Sequence, residues 1–252
     1  MRVKLNAIIL VFMILLTSGG GSYTADARAI DYLKSSASTT GKMVICLDAG
    51  HQSKANNAKE PVAPGSQTVK PKVSSGTQGV ATGKPEYKLT LEVALKLEQA
   101  LQKDYKVVMI RRSNNVDISN SERATICNKA GADLALRLHA DGSDKLSTQG
   151  MSFLYPSASS SSTKKIAPQS LEISKVLSQA VLKETQATSR GLVPRSDLTG
   201  FNWSKVPVLL IEMGFMTNRE EDLKLSQAAY QDKIVQGIKK GLDSYYKGVT
   251  KN

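Results

Sequence analysis

The chain is 252 residues long, 40% hydrophobic and 22% charged, a balance that excludes wholesale disorder and suits one large domain or two small ones. Lys and Arg number 34 against 22 Asp and Glu, and a formal net charge of +12 favours an anionic partner such as nucleic acid, acidic lipid or acidic cell-wall polymer. Two Cys are too few for a disulfide scaffold or a Cys-based zinc module, and with two His any histidine chemistry rests on His51, His139 or both.

Met1-Arg2-Val3-Lys4 is a short basic segment, and Leu5 to Leu16 is an almost unbroken apolar run. A helix of that length rises about 18 Å, short of the roughly 30 Å of a bilayer core. Small polar residues follow to Ala29, with Ala25-Asp26-Ala27 and Ala27-Arg28-Ala29 as candidate cleavage sites. Residues 1–29 therefore read as a secretory signal peptide, with an uncleaved anchor as the alternative. The protein is then expected to be secreted or envelope-associated, outside the cytoplasmic membrane. Without the leader the chain keeps 31 basic and 21 acidic residues, a charge of +10.

Residues 30–41 read as a linker, 42–247 as one domain and 248–252 as a tail. Met43 to Leu47 is an apolar run of strand length, as expected of a strand buried on both faces. Residues 52–83 form a long inserted loop rich in Lys, Ser, Pro and Gly, which is expected to be functional or disordered. Pro85 opens a helix on which Leu89, Val93, Leu97 and Leu101 make one apolar stripe. A strand at Lys106–Ile110, a helix at Ser119–Lys129 and a strand at Leu134–Leu138 follow. Gly150–Tyr155 is a further strand candidate, and the serine tract Ser157–Ser162 reads as a mobile loop. A helix around Gln169–Thr185, a strand at Val206–Ile211 and a last helix at Ala228–Tyr246 complete the series; Arg190-Gly191 reads as a turn at a helix end. The expected fold class is α/β, a single layered domain with a mostly parallel twisted sheet flanked by helices on both faces.

Ligands of open α/β sheets bind outside the carboxyl ends of the strands, so the residues after each apolar run are informative. The first run ends in Asp48-Ala49-Gly50-His51, a later one in His139-Ala140-Asp141-Gly142, and the last in Glu212-Met213-Gly214-Phe215. Both histidines and a glutamate thus stand at strand exits. Two neutral imidazoles and a carboxylate make a zinc site with an open fourth position, and a second carboxylate is needed to move the proton of the attacking water. Glu212 is one acid. Glu86, directly after Pro85, is the other, and as a first-turn carboxylate it is equally explained by the helix dipole. The H-E-x-x-H zinc helix is absent.

These residues, with Ser121-Glu122-Arg123-Ala124, Asn128 and Val206-Pro207-Val208-Leu209, stand in the order seen in zinc-dependent N-acetylmuramoyl-L-alanine amidases, and the chain from Met43 to Tyr246 resembles their Amidase_3 catalytic domain. The resemblance implies one Zn2+ held by His51, Glu86 and His139, with Glu212 as catalytic carboxylate. It implies peptidoglycan as partner and hydrolysis of the amide between N-acetylmuramic acid and L-alanine. It departs from the family pattern at Gln52-Ser53 after the first His, at Arg137 and Asp141 either side of the second, and at Ile110-Arg111. A zinc peptidase on wall peptides, or an amidase-like binding protein with weak metal, are the alternatives. Anionic wall polymer and a regulatory protein are further candidate partners. Nucleic acid ranks last, because no module for it is visible and aromatics are 5%.

Cys46 and Cys127 read as small buried residues rather than a disulfide. Trp203 is expected to pack against the sheet rather than stack on a sugar. Arg123 reads as a structural partner of an acid on its own helix, in preference to orienting a carboxylate near the metal. The lysines of the 52–83 loop read as solvated.

Overall fold

The computed structural model describes residues 41–250, so the leader and nearly all of the linker lie outside the described residues. Eight strands and six helices follow one another: β1 (Val44–Ala49), β2 (Asn56–Pro61), β3 (Val69–Val73), α1 (Glu86–Leu101), β4 (Lys106–Met109), α2 (Asn120–Lys129), β5 (Leu134–Asp141), β6 (Met151–Pro156), α3 (Ala167–Thr185), β7 (Ser189–Arg195), α4 (Thr199–Asn202), β8 (Val208–Phe215), α5 (Arg219–Leu225) and α6 (Ala228–Thr250). Six strands make one sheet in the order β4-β1-β5-β8-β6-β7. β4, β1, β5 and β8 are parallel, while β6 runs antiparallel to β8 and parallel to β7.

Period-two alternation divides each central strand between two cores. Ile45, Leu47 and Ala49 of β1 pack with Leu89 and Leu97 of α1, Leu177 of α3 and Ile238 of α6. Cys46, Ala135 and Leu210 face the other way, against Cys127 of α2 and Phe201 of α4. The stripe expected on α1 is real: Leu89, Val93, Leu97 and Leu101 are all fully buried. Each leucine contributes roughly 1.5–3 kcal/mol through burial. Helix α6 lies close on α3 because a side chain at Gly237 would stand 2.6 Å from the Val181 Cα.

Four local readings are corrected. Cys46 and Cys127 are joined in a disulfide across 81 residues, tying β1 to α2; sequence gave no means of knowing that a strand and a helix would bring them together. The 52–83 segment carries an ordered antiparallel hairpin, β2–β3. Its bend at Ala63–Ser66 has Pro64 followed by Gly65 at φ 77°, the pairing a type II turn requires. Third, Arg190-Gly191 belongs to β7, and the helix before it ends instead at Gln186, in the left-handed conformation with φ 55°. Finally, Trp203 pins the hairpin through its indole N–H, which donates to the Pro61 carbonyl at 2.9 Å.

α2 begins where the sequence suggested. Ser119 and Glu122 form a reciprocal capping box. The hairpin adds a second anionic cap: the buried Glu60 carboxylate accepts from the backbone N–H groups of Asn120 and Ser121.

Candidate metal centre

β1, β5 and β8 are neighbours and parallel, so their carboxyl ends open at one edge of the sheet. His51 follows β1, His139 lies near the end of β5, and Glu212 is the residue paired with His139 across the β5–β8 ladder. Glu86 comes from a separate direction, as the first residue of α1.

Three ligand-type atoms converge. His51 Nε2 stands 3.0 Å from Glu86 Oε1, His139 Nδ1 is 3.2 Å from the same oxygen, and the two ring nitrogens are 3.1 Å apart. Zinc bonded to such atoms at about 2.0–2.1 Å in tetrahedral geometry would separate its ligands by about 3.3 Å. The residues present therefore fit a divalent ion. Among the described residues this is the one group of His, Cys, Asp and Glu so placed.

The surroundings orient each candidate ligand. The Ser74 carbonyl, 3.0 Å from His51 Nδ1, accepts from that nitrogen when it carries the proton, and this leaves the Nε2 lone pair facing the centre. Glu86 Oε1 accepts from the Ala140 N–H and Oε2 from the Thr77 N–H, both at 3.0 Å. It makes no cap on α1, so the helix-dipole explanation accounts for none of its hydrogen bonds. The His139 ring lies against Gly50, where an added Cβ would meet the ring at 2.4 Å. No side chain larger than hydrogen fits there.

Electrostatics separate the two glutamates. Burial alone would raise the Glu86 carboxyl, but hydrogen bonds from His139 and His51 and the charge of both rings outweigh it and hold the group well below its ordinary value. Burial lowers the His139 imidazole to about 4, favouring the neutral form that ligates metal. Glu212 moves the other way. Burial pushes it well above its ordinary value, and the negative Glu86 and Asp141 add to the rise. Its Oε2 is buried with no hydrogen-bond partner among the described residues. A buried carboxyl raised in this way holds a proton more readily than an exposed one.

Arg123 bonds to Asp48 of β1, at 2.7 Å, rather than to an acid of its own helix. Arg137, the departure noted two places before His139, donates to the other oxygen of Asp48 at 2.8 Å. Sequence reading did not assign Asp48 a role, although a lone aspartate ending a buried apolar strand signals a buried partner.

Residues 45–244 match the Amidase_3 family, described as N-acetylmuramoyl-L-alanine amidase. The N-acetylmuramoyl-L-alanine amidase LytC of Bacillus subtilis is 29% identical over 195 residues, covering 77% of this chain, which spans only 38% of that relative's length. The N-acetylmuramoyl-L-alanine amidase Rv3717 of Mycobacterium tuberculosis is 28% identical over 212 residues, covering 81% of this chain and 86% of its own. Among solved structures, the amidase Ami1 of Mycobacterium smegmatis superposes with a TM-score of 0.73 at 24% identity, covering 82% of this chain and 97% of its own, and so shares the fold.

Proposed function

Since the chain belongs to the N-acetylmuramoyl-L-alanine amidase family, we propose that it is a zinc-dependent amidase that cleaves the bond between N-acetylmuramic acid and L-alanine in peptidoglycan. The observation that carries the reading is the meeting of His51, Glu86 and His139 beside a carboxyl that titrates high, at the carboxyl edge of the sheet. Relatives matched over most of this chain bear the same activity in their names.

His51 Nε2, Glu86 Oε1 and His139 Nδ1 would hold the ion. When bound, zinc supplies Lewis acidity that polarises an amide carbonyl and makes water nucleophilic near neutral pH. Glu212 accepts the proton of the attacking water as its oxygen bonds to the carbonyl carbon of the lactyl group. Glu212 then returns that proton to the alanine nitrogen as the carbon–nitrogen bond breaks, which leaves a free carboxylate and a free amine. The Thr77 and Ala140 amides keep Glu86 in place throughout, so that one carboxylate serves the metal while the other moves the proton.

An address outside the cytoplasmic membrane completes the proposal, with residues 1–29 as the leader. The Cys46–Cys127 disulfide supports it, since such bonds persist in oxidising compartments. Among the described residues no helix is long and apolar enough to cross a membrane. Metal analysis of the purified protein, with mass spectrometry of peptidoglycan digested by it, tests the whole reading. Zinc together with free stem peptides beginning in L-alanine is the expected result, and peptides cut internally would instead identify a peptidase.

A further inference from the structure

The turn that carries His51 from β1 toward the centre is held from beneath by two buried guanidinium groups. His51 has φ 62°, in the left-handed region disfavoured for any residue with a side chain. The carbonyls around it turn inward. Arg111 donates from Nε to the Ala49 carbonyl at 2.9 Å and from Nη2 to the Gly50 carbonyl at 3.0 Å. Arg123 donates from Nη1 to Ala49 and from Nη2 to the His51 carbonyl, both at 2.9 Å. Three successive carbonyls, Ala49 to His51, are thus occupied by arginine.

Both arginines are buried, with 2% and 1% of their surface exposed. Asp48 balances the charge of Arg123 on one oxygen and of Arg137 on the other, while Arg111 donates to neutral oxygens, those of Ala49, Gly50, Tyr87 and Asn114 among them. Burial would raise the Asp48 carboxyl, but the two guanidinium charges outweigh it and keep the group ionised. One acid therefore links β1, α2 and β5, the strand of the second histidine.

We propose that Arg111 and Arg123 are positioning residues, whose planar forks hold the Ala49–His51 turn in the left-handed conformation that delivers the His51 imidazole to Glu86 and His139. The inference rests on reading that trio as a metal centre. The arginines touch no ligand atom and act through the backbone. A lysine keeps the charge but lacks the rigid fork that reaches two carbonyls at once, so Arg→Lys changes geometry at constant charge.

The test uses the purified full chain freed of metal by a chelator. Zinc affinity is measured by competition with a chromophoric chelator, and ligand geometry by the visible absorption of the cobalt(II) form. R123K and R111K are expected to weaken zinc binding about 10- to 100-fold and to alter the cobalt spectrum while the metal-free protein still unfolds cooperatively. Where R123K fails to fold, R111K carries the test alone, because Arg111 by itself holds Ala49 and Gly50. A folded R111K or R123K with unchanged zinc affinity and cobalt spectrum overturns the inference and leaves the metal centre standing. A wild-type chain that binds neither ion overturns both.

Discussion

His51 Nε2 and His139 Nδ1 lie 3.1 Å apart although 88 residues separate them in the chain. Two imidazoles at that distance with a carboxylate between them define the centre, so removal of either ring breaks it. His51→Ala and His139→Ala are expected to lower zinc affinity at least about 100-fold and to abolish release of stem peptides. Equilibrium dialysis against zinc and muropeptide analysis check both.

Glu212 is separated from this role by its environment. Glu212→Ala should retain zinc at the wild-type stoichiometry and lose about 10²–10⁴ in turnover, the usual contribution of general acid–base catalysis. Turnover near the wild-type rate would remove Glu212 from the proton-transfer role.

Glu86→Gln distinguishes ligand from helix-start residue. The amide keeps one acceptor oxygen, so it retains one of the two hydrogen bonds that Thr77 and Ala140 now donate to the two carboxylate oxygens. Zinc affinity is expected to fall, while the metal-free protein loses no more than about 1–3 kcal/mol for the one unpaired N–H and still unfolds cooperatively. Unchanged affinity would return the residue to a purely structural part.

The disulfide closes a loop of 81 residues, and the chain-entropy account assigns such a loop about 4.5 kcal/mol of stability. Urea unfolding of the double variant Cys46→Ala/Cys127→Ala, compared with the oxidised protein, should give a loss of that order. Coincident unfolding curves would show that the bond contributes nothing.

Acid should act on the metal-free protein through His139, while the raised Glu212 works in the opposite sense because its folded form takes up a proton more readily than the unfolded chain. Burial lowers the folded-state His139 to about 4 from an ordinary 6.5, so the unfolded chain binds this proton first. The contribution of this ring is then full above about pH 6.5 and is lost as pH falls toward 4, by about 3 kcal/mol. Denaturant titrations at stepped pH should show the decline in wild type and a flatter profile in His139→Ala.

Much of this was legible before folding because the local patterns are strong. The Leu89–Leu101 stripe and the helix expected at Ser119–Lys129 each express a preference satisfied within a few residues. The hairpin β2–β3 was not legible from periodicity, since Glu60 is buried between exposed neighbours and caps a helix about 60 residues away. Its Pro64-Gly65 turn was the one local signal available. β7 was obscured by Gly191 (φ 87°), which reads as a turn when seen without its partner strand.

The amino-acid order alone determined the α/β alternation and put both histidines and Glu212 after apolar runs, because hydrophobic periodicity is a local property; β5 and β8 themselves run on past His139 and Glu212, to Asp141 and Phe215. Only the tertiary structure decided that Glu86 turns to the histidines instead of capping its helix, that Cys46 bonds Cys127, and that Asp48 receives two arginines. Each of those depends on strand order and helix placement, which bring together groups tens of residues apart; burial raises both glutamates, and only the hydrogen bonds and charge of the two histidines reverse the shift at Glu86, so that Glu86 and Glu212 move in opposite directions.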